Sequence, residues 1–84
     1  MIQGIQQPDT ASPTSVPHRA AASAKHFVGY PHTRTGHDRA SAWIPTRHLY
    51  QYFVPPWKHV MDEVKPVTVM ESDSEVDGVP MVVN

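Results

Sequence analysis

Pro55 and Pro56 stand side by side within the stretch of the chain that carries the clearest helical periodicity, and they dictate how that stretch divides. A proline cannot donate to the turn behind it and its ring clashes with the carbonyl four residues back, so a helix is expected to end before the pair. Proline also suits the first turn of a helix, so a second helix is expected to open there. Thr46, after Pro45, is the expected N-cap of the first helix, about 47–54, in which Leu49, Tyr52 and Phe53 share a face at i, i+3, i+4 spacing. The second, about 57–65, carries Trp57, Val60, Met61 and Val64 on one stripe before Pro66 stops it. Lys58 in its first turn and Asp62 and Glu63 near its end oppose the helix dipole. Its nine residues fall below the ~12 to 15 at which isolated helices become marginally stable. Packing must therefore hold it.

The chain has little with which to pack. Leu, Ile, Val and Phe make up 17 of 84 residues, with a single leucine, while Pro, Gly, Ser and Gln make up 23. That balance lies near the composition of irregular chains. A chain this short buries only about 60% of its extended surface even when it folds well. The expected fold class is mostly irregular and extended, with two short α-helices (about 47–54 and 57–65) and no independent compact fold.

Three segments follow. Residues 1–26, with Pro8, Pro13 and Pro17, read as an extended Pro/Ala/Ser arm, in which the Ala20 to Ala24 run has helix propensity but no apolar stripe. Residues 27–66 hold every aromatic residue and read as a helical anchor. Residues 67–84 read as an acidic extended tail, where Val67 and Val69 alternate with Thr68 and Met70 as in a short strand. The net charge of -1 conceals an asymmetry, +4 through His59 and -5 beyond it, which suggests segments that meet each other or face different partners. No apolar run is long enough to span a membrane. Up to His37 the scarcity of acids beside Arg19, Lys25 and Arg34 resembles an organellar targeting composition, so a mitochondrial location is expected, with the cytoplasm or nucleus otherwise.

Chemistry is sparse in this reading. With no cysteine, disulfides and thiolate metal sites are excluded. The six histidines, at 18, 26, 32, 37, 48 and 59, lack zinc-ligand spacing, leaving only convergence of His32 and His37 with Asp38 as a metal-binding alternative. There is no nucleophile elbow and no phosphate-cradling glycine loop. The expectation is no catalytic residue, no cofactor, no metal and no small-molecule substrate. Arg19, Lys25, Arg34, Arg39 and Arg47 interleave with Phe27, Tyr30 and Trp43, an arrangement that suits RNA but suits a protein contact better at this charge density.

Val67 to Met70, followed by Glu71 to Glu75, resembles a ubiquitin-like-modifier (SUMO) interaction motif, with Met70 in place of a branched aliphatic residue. The resemblance implies a strand that adds to a partner's sheet edge, and Ser72 and Ser74 resemble acidophilic kinase sites. The reading that follows is a non-catalytic accessory subunit of a multi-subunit assembly: a respiratory complex, an ATP synthase or a ribosome. Its partner-binding residues are Trp43, Leu49, Tyr52, Phe53, Trp57, Val60, Met61, Val64, Val67 and Val69. The alternative is a disordered regulatory peptide acting through the acidic strand.

Overall fold

The structure is a computed structural model, in which residues 1–7 and 20–84 are described. The arm expected over Asp9 to Pro17 lies outside the described residues. A short helix, α1 (Ile2–Gln6), precedes strand β1 (Ser23–Phe27), and a long helical stretch, α2, runs through Thr46–Val64 to strand β2 (Thr68–Glu71). β1 and β2 pair in parallel, Ser23 opposite Thr68, Ala24 opposite Val69 and Phe27 opposite Glu71, with an irregular register between Ala24 and Phe27. The peptide bonds Lys25–His26 and Phe27–Val28 are cis. Parallel neighbours need a crossover of a dozen or more residues, and α2 supplies it. The result is a strand–helix–strand unit, followed by a hairpin of β3 (Glu75–Val76) and β4 (Val79–Pro80).

The helix does not break at Pro55-Pro56. It widens just before them: Leu49–Phe53 forms a π-helical turn in which the Val54 N–H donates to the Leu49 carbonyl, five residues back. The wider ring relieves the clash that a proline ring imposes on an ordinary α-turn, and π-bulges are a recognised way for a helix to absorb such an interruption. A second π-turn, Val60–Val64, leads to Lys65 at φ 50°, where the left-handed conformation ends the helix. With one helix in place of two, Leu49, Phe53, Trp57, Val60 and Val64 form a single half-buried stripe, whereas Tyr52 and Met61 face outward. Helix formation starts at Thr46 itself, with Pro45 as the cap. Lys58 is therefore interior, where it pairs with Asp62 one turn on.

The core is small. Ala42, Ile44 and Val76 are buried together, with Leu49, Phe53 and Met81 packed against them. Ala42 reaches that position because its segment bridges Thr33 on one side and Val76 on the other. The N-terminal helix is tied in through one side chain: Gln6 Oε1 accepts from the Ala22 and Val67 N–H groups at 3.2 and 3.1 Å, and Gln6 Nε2 donates to the Lys65 carbonyl. Both strands thus start from one amide group. The arm and the tail, expected to be extended, meet as the two strands of the unit, Ser23–Phe27 beside Thr68–Glu71.

Candidate functional site

In open parallel sheets, ligands sit beyond the carboxyl ends of the strands, because side chains from successive loops converge there. β1 ends at Phe27 and β2 at Glu71, and the loops that follow bring Tyr30, Asp38, Arg39 and Asp73 together. Tyr30 donates its hydroxyl to Asp38 Oδ1, and the His26 ring lies 4.7 Å from the Tyr30 ring. Arg39 Nε stands 3.9 Å from Asp38 Oδ2 and 3.6 Å from Asp73 Oδ2, so one guanidinium bridges the two loops. The bond to Asp38 raises the Tyr30 pKa above its ordinary value of 10.0, since the carboxylate holds the phenol proton.

Arg39 occupies the left-handed region, φ 59°, three residues after Gly36 at φ 71°. A residue with a Cβ pays roughly 1–2 kcal/mol for that conformation, and such outliers concentrate at functional loops. These ion pairs are largely exposed and add little to stability. Below them opens a polar groove of about 590 Å³, walled by Arg39, Ser41, Glu71, Asp73 and Glu75, with Pro80 and Met81 on its apolar side. Ser41 Oγ donates to Glu75 Oε1 across this wall. Carboxylates and a guanidinium around an open groove offer a ligand both hydrogen-bond acceptors and donors.

None of these residues was among the predicted binding residues. Of those, Leu49 and Phe53 serve the chain's own core, and Trp57 meets Phe27 edge-on at 5.3 Å. Val60 and Val64 are half-buried on the same stripe, while Trp43, Tyr52, Met61, Val67 and Val69 are exposed. The SUMO-type strand is already paired along one edge with β1. Ser72 and Ser74 are 3% and 2% exposed, their hydroxyls bonded to each other, so neither is presented to a kinase. Of the arginines expected to track a nucleic-acid backbone, Arg39 lies beside two carboxylates and Arg34 over the Trp43 ring, while Arg19 lies outside the described residues. His32 lies against Phe53, and among the described residues no three His, Asp or Glu side chains gather as metal ligands. Among the described residues, too, no helix is long and apolar enough to cross a membrane.

No family model matches the chain. It is similar to a lysosomal beta glucosidase of Dictyostelium discoideum, 42% identical over 62 residues that cover 74% of this chain and 8% of that protein. It is also similar to a beta-xylosidase of Formosa agariphila, 31% identical over 83 residues, 99% of this chain and 11% of the relative. Among solved structures, a β-glucosidase from Erythrobacter marinus superposes with a TM-score of 0.77 at 29% identity, over 95% of this chain and 10% of that one. The chain thus spans about a tenth of the length of the relatives it matches. These likenesses overturn the expectation of a non-catalytic accessory subunit or regulatory peptide without a small-molecule substrate. What the chain resembles, in sequence and in backbone, is a section of proteins named for action on β-glucosides and β-xylosides.

Proposed function

We propose that this chain forms a sugar-binding section of a glycoside hydrolase acting on β-linked glucose or xylose units. The observation that carries the reading is the Arg39-centred cluster at the carboxyl ends of two parallel strands, in a chain similar to β-glucosidases and a β-xylosidase. Sugar hydroxyls present both donors and acceptors. Asp73 accepts from them and Arg39 donates to them in the groove that both line, while Asp38, outside it, pairs with Arg39 and Tyr30 and so positions the guanidinium. Glycoside hydrolysis itself uses a pair of carboxyl groups flanking the scissile bond. The role assigned to Asp38 and Asp73 here is to bind and orient, since one guanidinium clamps both.

The strand–helix–strand unit fits a larger sheet. Parallel strands are ordinarily covered on both faces, yet every residue of β2 is exposed. An apolar groove of about 420 Å³, lined by Phe27, Val54, Trp57, Met61 and Val69, lies open beside it. In the proposed enzyme further strands continue the sheet from β2 and close this groove.

Calorimetric titration with methyl β-D-glucoside and methyl β-D-xyloside tests the reading, using protein purified from its own cells through a tag on this chain. Saturable binding of one of them is expected, weakened about tenfold by Arg39→Ala and less by Arg39→Lys. Absence of binding, or equal affinity in all three proteins, refutes it.

A further inference from the structure

Trp43 is an unusual residue to leave half exposed. Its neighbours Ala42 and Ile44 are fully buried, so the backbone on either side is anchored, yet 51% of the Trp43 surface remains accessible. Side chains alternate across extended backbone, which places Ser41 and Trp43 together on the face opposite the core. Ser41 lines the polar groove and donates to Glu75 there. Trp43 thus lies about 7 Å along extended backbone from Ser41, a wall of that groove, and on the same side of the segment. The Arg34 guanidinium sits over the indole, 5.9 Å from the ring centroid, and steadies the side chain by a cation–π contact.

We infer that Trp43 is a stacking platform for a second sugar unit of a β-linked oligosaccharide whose first unit lies in the groove beside Arg39 and Asp73. The chemistry is that of an aromatic face. An indole is electron-rich above and below its plane, and the C–H face of a β-linked pyranose presents a row of weakly positive hydrogens that suits it. The hydroxyls at the ring's edge remain free for water and for Arg34. A rigid ring on an anchored backbone loses little conformational entropy when it binds, which is why exposed tryptophans make effective contact anchors. This inference rests on the proposed function and extends it to oligosaccharides.

The test uses protein labelled at the indole nitrogens, with the Trp43 resonance identified by its loss in Trp43→Phe. Methyl β-D-glucoside and methyl β-D-xyloside are titrated alongside cellotetraose and xylotetraose, and hydrolysis of aryl β-glycosides is measured in the same preparation. A saturable shift of the Trp43 signal with a tetrasaccharide is expected, together with about fivefold weaker tetrasaccharide binding in Trp43→Ala and unchanged binding of the monoglycosides. Trp43→Phe, which keeps a ring, should recover part of the loss. Hydrolysis without a Trp43 shift, or equal weakening for mono- and tetrasaccharides, overturns the platform alone. A Trp43 shift without hydrolysis overturns the hydrolase reading and leaves the platform standing. Absence of both overturns both.

Discussion

Asp77 holds the segment that carries Ser41 and Trp43, and replacing it should loosen that segment measurably. Its Oδ1 accepts the Ile44 N–H at 2.8 Å, while its own N–H donates to the Ala42 carbonyl at 2.9 Å. Ile44 is fully buried, so in Asp77→Ala its N–H loses its partner away from water, a penalty of about 1–3 kcal/mol. Asp77 also sits at φ 50° before Gly78 at φ 84°, the pattern of an Asp-Gly hairpin turn, and alanine tolerates that conformation less well, adding about 1 kcal/mol. The expected loss is about 2–4 kcal/mol, which at a urea slope near 1 kcal/mol per molar displaces the midpoint by about 2 M or more. Asp77→Asn keeps an acceptor oxygen and accepts the left-handed conformation, so it should lose less than about 1 kcal/mol. Urea unfolding followed by circular dichroism, at matched pH, decides the matter. If alanine and asparagine prove equally stable, the acceptor role assigned to Asp77 is wrong.

Two further outcomes follow from the same geometry. Gly29 lies at φ 81°, and a Cβ there would come within 2.6 Å of Ile44 Cδ1, so Gly29→Ala should destabilise by about 2 kcal/mol or more in the same unfolding assay. A wild-type level of stability in that variant would contradict the packing of Gly29 on Ile44. Tyr30 should ionise above its ordinary value because Asp38 holds its proton, and Asp38→Asn should bring the transition back down in an ultraviolet titration. The sign is that of a group whose folded pKa is raised: the stabilising bond is fully present below the unfolded value near 10 and disappears as pH rises through the folded one. A Tyr30 transition that does not move in Asp38→Asn would count against the pair.

The helical stripe was legible from spacing, since Leu49, Phe53, Trp57, Val60 and Val64 all carry the period. Its interruption was misread because the proline rule assumes α-helical turns, whereas the π-turn at Leu49–Phe53 makes room for Pro55 and Pro56. Strand β1, Ser-Ala-Lys-His-Phe, shows neither alternation nor β-branched residues, and its partner Thr68 lies far along the chain, so nothing local announces it. The alternation over Val67 to Glu71 marks the strand that forms at Thr68–Glu71, but its partner edge is β1 of the same chain rather than another protein. The Asp77-Gly78 dipeptide was a hairpin signal that the composition of the tail obscured. The site was the least legible part, because Asp38 and Arg39 are joined to Asp73 only by the crossover, and a mobile acidic run and a clamped one have the same letters.

The proposed role in a protein that cleaves β-glycosides is checked by release of p-nitrophenol from p-nitrophenyl β-D-glucoside and p-nitrophenyl β-D-xyloside. Protein purified from its own cells through a tag on this chain should cleave at least one of the two, with the rate falling in Arg39→Ala. Failure to cleave either substrate across the pH range in which the protein is folded would contradict the account.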